Sequence, residues 1–170
     1  AIKWVVDHID TYGGDPNEIA LLGHSAGAHL VALTGTNPTF LNNVGLDLSS
    51  LKGVAAIDTE GYNVLFQTQD NNELYLNAFG SDPELNRQAS PLFNIEEKME
   101  YPNFFIAKRG SPRRIGFANE LIMALESQET IVQQVDGSIY DHSGINRAIG
   151  ASNETLITNA LIEFFTTCFE

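Results

Sequence analysis

The sequence is poor in cysteine: Cys168 is the only one in 170 residues, which excludes an internal disulfide and any paired-cysteine metal site. It is also poor in positive charge. Nine Lys and Arg stand against 22 Asp and Glu, a formal net charge of −13, and such a surface repels nucleic acid and anionic lipid. Long apolar runs are missing too. None approaches the roughly 18–20 residues that a membrane-spanning helix needs, and the opening AIKWVVDHID lacks the basic end, apolar stretch and small-residue cleavage site of a leader. His-Glu-x-x-His spacing and a glycine-rich phosphate loop are equally absent, so no metal and no cofactor is expected. Internal repeats and linker-like composition shifts are lacking, which predicts a single domain over residues 1–170.

What is present is ordinary globular material, 43% hydrophobic with 14 glycines, enough for one buried core. Ile2, Val5, Val6 and Ile9 fall at helical spacing, and Gly13-Gly14-Asp15-Pro16 ends that segment. The chain opens inside this helix without a methionine, which predicts further chain upstream. Glu18 to His24 carries the short apolar run of a strand covered on both faces, and the small residues AGAHLVALTG then open a helix. The alternation recurs. Strands are predicted at Gly53 to Ile57, Asn103 to Ala107 and Thr130 to Val135, with a helix over Arg113 to Glu126 and a last helix along Leu156, Ile157, Ala160, Leu161, Phe164 and Phe165. Ser152 or Asn153 is placed to cap that last helix. Four apolar strands separated by helices predict an α/β fold, a parallel sheet flanked by helices. Residues 62–100 interrupt the pattern with a polar, cap-like excursion, too long for a plain connection and carrying only short helical patches such as LYLNAF. Such an excursion is expected to lie over a site.

Gly23-His24-Ser25-Ala26-Gly27 matches G-x-S-x-G, with a strand before it and a small-residue helix after it. A nucleophilic serine here must sit on a tight turn, and Gly23 and Gly27 remove side chains that would crowd it. The hydroxyl then stands above the strand ends. The helix behind it supplies positive potential, and the Ala26 N–H can donate to a developing oxyanion.

GHSAGAHL resembles the nucleophile elbow of the small carboxylesterase, feruloyl-esterase and kynurenine-formamidase branch of the α/β-hydrolases, and YGGDPNEIALLGHSAG resembles its helix-turn-strand approach. The resemblance covers nearly the whole chain but only the second part of that fold, so the four strands would be its fifth to eighth and the N-terminal strands would be lacking. It implies chain order Ser, acid, His, with the base on a loop after the last strand. His142 in IYDHSGINRAIG occupies that place. His24 sits at the variable elbow position, His29 one turn into the next helix as a hydrogen-bonded structural imidazole, and His8 in the first helix. The loop after Asn103 to Ala107, where relatives keep the acid, reads Lys108-Arg109-Gly110-Ser111-Pro112-Arg113 and has no carboxylate; Ser111 stands in its place. Asp58, ending Val54-Ala55-Ala56-Ile57-Asp58, resembles the position pancreatic-type lipases use, so it is assigned as the acid. Glu60 stands in reserve, and Asp141 is disfavoured because adjacency aims it away from His142.

Lys108, Arg109, Arg113 and Arg114 gather four of the nine basic residues around the acid-less loop. Two readings stand: they pair with nearby carboxylates, or they form a positive rim for a substrate carboxylate. No HGGG-like loop occurs for a second oxyanion donor. The resemblance implies a serine hydrolase acting on a small-molecule ester, with an arylformamidase or amidase, or a catalytically silent binding relative, as alternatives. With its first strands lacking, the strand before Ser25 would be a sheet edge, which predicts more chain or a homo-oligomer across that edge.

Overall fold

A computed structural model describes all of residues 1–170. Four strands form one sheet in the order β1 (Ala20–His24), β2 (Gly53–Ile57), β3 (Asn103–Lys108), β4 (Val132–Asp136), every pair parallel. The expected α/β class is what the chain adopts. β2 is buried at every residue because it is interior and covered on both faces, the condition that favours an unbroken apolar run over alternation.

Alternate side chains of the central strands point to opposite faces, and each face has its own core. Val54, Ala56, Phe104 and Ile106 pack with Ala28 and Ala32 of helix α2 (Ala26–Thr36) and with Phe117, Leu121 and Leu125 of the later helix Pro112–Glu126. Ile2, Val5 and Val6 of α1 (Ile2–His8) lean on the same cluster. Ala55, Ile57, Phe105 and Ala107 pack on the other side with Ile145, Ile157, Leu161 and Phe164. Helix α2 approaches the sheet closely at Gly35, where a Cβ would lie 2.7 Å from Val54 Cγ2.

A short α3 (Thr39–Asn42) precedes β2, and residues 62–100 then hold α4 (Val64–Gln69), α5 (Glu73–Phe79) and α6 (Pro83–Gln88). Their polar content is internal glue: Asn86 Nδ2 donates to Thr68 Oγ1 and to the Gly80 carbonyl, and Ser90 Oγ donates to the Asn86 carbonyl. The excursion packs beside α2 and α7 (Pro112–Glu126), while Ala26 and His142 stay exposed and Ser25 is part-buried.

After β4 come α8 (His142–Ala148) and α9 (Leu156–Cys168). The cap expected from Ser152 or Asn153 is instead Glu154, whose carboxylate accepts from Ile157 N and Thr158 N at 2.9 Å each and from Thr158 Oγ1 at 2.6 Å. A longer side chain closer to the first turn reaches donors that the shorter pair, further back, does not. No helix is long and apolar enough to cross a membrane.

Candidate active site

In a parallel sheet the carboxyl ends of the strands gather on one edge, where ligands bind in open α/β folds. Ser25 follows β1, Asp58 follows β2, Arg109 follows β3 and His142 lies beyond β4. The ladder continues one residue past the strands: Ser25 N donates to the Ile57 carbonyl at 3.0 Å, Asp58 N to Ala107 at 2.9 Å and Gly137 N to Lys108 at 2.8 Å. These bonds fix the height of each site residue above the sheet.

Ser25 has φ 59° and ψ −118° and Asp58 has φ 54°, both in the left-handed region that non-glycine residues avoid. Each such residue costs on the order of 1–3 kcal/mol and persists because its surroundings over-determine it. At the elbow, a Cβ on Gly23 would stand 2.2 Å from the Gly27 carbonyl oxygen. Gly23 is therefore required by contact. Gly27 is not: a Cβ there meets nothing within 4 Å, which corrects the expectation that both glycines relieve crowding.

Ser25, Asp58 and His142 come together. His142 Nε2 stands 2.9 Å from Ser25 Oγ and His142 Nδ1 2.6 Å from Asp58 Oδ2. A carboxylate only accepts, so Nδ1 carries the hydrogen, and the neutral ring then offers Nε2 to the serine hydroxyl. His142 is the first residue of α8 rather than a loop residue, because Asp141 caps that helix by accepting from Gly144 N. That cap occupies the Asp141 carboxylate, while Asp58 is the carboxylate bonded to the His142 ring. Ala26 opens the 11-residue α2, among the first-turn N–H groups that lack an intrahelical acceptor.

Burial pushes the Asp58 carboxyl upward, but hydrogen bonds from Arg109 and His142 and the charge of Arg114 outweigh it and hold the group below the usual carboxylate range. Arg109 Nη1 donates to Asp58 Oδ2 at 2.7 Å, and Arg114 Nε donates to Oδ1 at 2.9 Å. Glu60 is no second acid; it pairs with Arg114 at 3.2 Å. The other basic residues are occupied as well, Lys108 with Asn119 and Gln134, Arg113 with Asp70. Of the two readings, the structure shows the one in which these basic side chains are engaged by neighbours, Arg109, Arg113 and Arg114 by carboxylates and Lys108 by side-chain amides. Ser111, in the place of the missing acid, caps α7 by accepting from Arg114 N.

Sequence reasoning left His24 without a task. Its Nε2 stands 2.8 Å from the His142 carbonyl, which makes Nε2 the donor, and the two rings lie 4.6 Å apart. Nothing in its neighbours signalled this, since the partner is 118 residues away. His29 meets the Ala89 carbonyl at 2.8 Å, and burial keeps its imidazole below the ordinary value against that bond's opposing effect. His8 stacks on Trp4 and meets the Trp4 carbonyl. Nitrogen and oxygen atoms of His24, Asp58 and His142 lie within 4.8 Å of one another, a spacing open to a metal ion. Binding one there would break the Ser25–His142–Asp58 hydrogen bonds, so the geometry fits proton transfer better.

The family model BD-FAE matches residues 1–113. Esterase LipQ of Mycobacterium tuberculosis is 30% identical over 118 residues, covering 62% of this chain and 27% of LipQ. The probable carboxylic ester hydrolase LipM of the same organism is 40% identical over 73 residues, 41% of this chain and 16% of LipM. Among solved structures, the Pyrobaculum calidifontis esterase superposes with a TM-score of 0.70 at 18% identity, over 99% of this chain and 59% of that one, a likeness of fold. The chain thus spans less than two thirds of the length of each. With the family model matching residues 1–113, most of the chain, and the α/β-hydrolase fold shared with that esterase, the chain belongs to the BD-FAE family.

Proposed function

We propose that the protein is a serine hydrolase that cleaves carboxylic esters of small molecules through an acyl-enzyme. The observation that carries this is the unbroken line from Ser25 Oγ to His142 to the buried Asp58, 2.9 Å and 2.6 Å long in its two steps. The named esterase relatives support it.

Ser25 Oγ attacks the ester carbonyl while His142 Nε2 takes its proton. The negative charge that develops on the carbonyl oxygen meets the Ala26 N–H and the positive end of α2. Collapse expels the alcohol, protonated from Nε2, and leaves an acyl group on Ser25. Water then attacks the acyl carbon while Nε2 takes its proton; the bond from that carbon to Ser25 Oγ breaks, Nε2 returns the proton to Oγ, and the acid leaves. Asp58 keeps Nδ1 protonated and stabilises the imidazolium in both halves.

Hydrolysis of p-nitrophenyl acetate and butyrate by the wild type and by Ser25→Ala tests the assignment. Turnover should depend on Ser25 and fall by at least about a thousandfold without it. Faster turnover of N-formylkynurenine than of either ester would move the assignment to an arylformamidase.

A further inference from the structure

Asp58 is held by more positive charge than orienting an imidazole requires. Its side chain is 1% exposed and faces Arg109 from the loop after β3, Arg114 from α7 and His142 from α8. The buried Tyr62 hydroxyl also lies within its field and has no hydrogen-bond partner. Arg109 touches Oδ2, the oxygen that His142 uses, while Arg114 takes Oδ1 and also donates to the Asp58 carbonyl at 3.1 Å. Arg109 has a second contact: its Nε donates to the carbonyl of Tyr140, two residues before His142, at 3.0 Å. One guanidinium therefore ties the acid to the segment that carries the base.

The charges balance. Asp58 and Glu60 are matched by Arg109 and Arg114, with Glu60 on the outer side of Arg114. An imidazolium forming on His142 adjoins a neutral four-residue set in place of a lone carboxylate. His24 is the other titratable group against the ring, and it meets the main chain of His142.

We propose that Arg109 and Arg114 are positioning residues that act on His142 through Asp58, fixing which carboxylate oxygen meets Nδ1 and setting, with Glu60, the pH at which the Ser25–His142 pair becomes competent. This rests on the reading of the site as a serine hydrolase. The loop without a carboxylate has become the part that holds the carboxylate of the neighbouring strand.

Three variants give different signs. Arg109→Gln removes one positive charge, so the acidic limb of kcat/KM should move to higher pH by about one unit, with kcat down about ten- to a hundredfold. Arg109→Lys keeps the charge but cannot span Asp58 and Tyr140 together; its limb should stay put while kcat falls. Glu60→Gln, at a half-exposed position, should move the limb to lower pH by a smaller amount. A purely structural role would lower rates and leave the limbs in place.

The same titration is read without turnover from the ¹⁵N NMR shifts of His142 in wild type, Arg109→Gln and Glu60→Gln, with thermal melts confirming folded protein. Opposite displacements in the two variants support the proposal; coincident curves overturn it, and Glu60→Gln alone decides the matter if Arg109→Gln does not fold. Absence of ester turnover in wild type would instead defeat the serine-hydrolase reading, and the NMR curves would still decide the charge relationship.

Discussion

Asp58 and His142 are 84 residues apart in the chain, yet Oδ2 of the one lies 2.6 Å from Nδ1 of the other. The contact exists because both residues stand on the carboxyl edge of the sheet, Asp58 at the end of β2 and His142 beyond β4, with Arg109 from the loop after the intervening β3 bridging the gap.

Asp58→Asn should lower kcat by about 10³- to 10⁴-fold with little change in KM, since the amide cannot hold Nδ1 protonated in the same way. The same variant should change acid stability. A carboxyl whose folded value lies below its unfolded value of about 4 stabilises the fold fully above that pH, and the contribution disappears as pH falls toward the lower folded value. Urea midpoints between pH 2 and 6 should therefore fall less steeply for Asp58→Asn than for the wild type.

Gly23→Ala and Gly27→Ala should part company although both alter the elbow motif. The first places a methyl 2.2 Å from a backbone oxygen and should destabilise by about 1–3 kcal/mol or abolish soluble expression. The second meets open space at the start of a helix and should be neutral or stabilise by up to about 1 kcal/mol. Thermal melts of the two variants check this.

Glu154→Ala should destabilise by about 1 kcal/mol, the usual cost of losing a helix cap, while Ser152→Ala and Asn153→Ala stay close to wild type. Burial raises the Glu154 carboxyl, but hydrogen bonds from Thr158, Ile157 and Tyr140 bring it down to about 2. The cap should therefore survive to about pH 2–3, and amide exchange at the first turn of α9 reports where it fails.

β1 is the edge of the sheet and Leu22 on it is 46% exposed. We propose that this edge is covered either by further chain or by a second copy; on the second reading, light scattering of the 170-residue chain should show dimers or larger species that Leu22→Lys reduces. A monodisperse monomer would contradict the second reading.

The strands were legible because burial on both faces leaves a local mark. Gly53 to Ile57 is bounded in the structure as the apolar run bounds it, whereas β4 begins at Val132, two residues later than the pattern suggests, because edge strands are only half covered. The tight turn that carries Ser25 was legible from five consecutive residues. The roles of Arg109, Arg114 and His24 were not, since each depends on a partner 31 to 118 residues away. The clustering of basic residues beside a loop lacking its acid was the one available sign, and it was equally compatible with a substrate rim. The cap of α9 was misplaced because Glu reaches donors that propensity for short caps does not anticipate.

The central claim is that Ser25 is a nucleophile activated by His142. Intact mass spectrometry after exposure to a fluorophosphonate tests it most directly, with Ser25→Ala and His142→Ala alongside. The account predicts a single adduct on wild type, none on Ser25→Ala and labelling slowed by at least about a hundredfold in His142→Ala. A folded wild type that stays unlabelled, or an adduct that persists in Ser25→Ala, would contradict it.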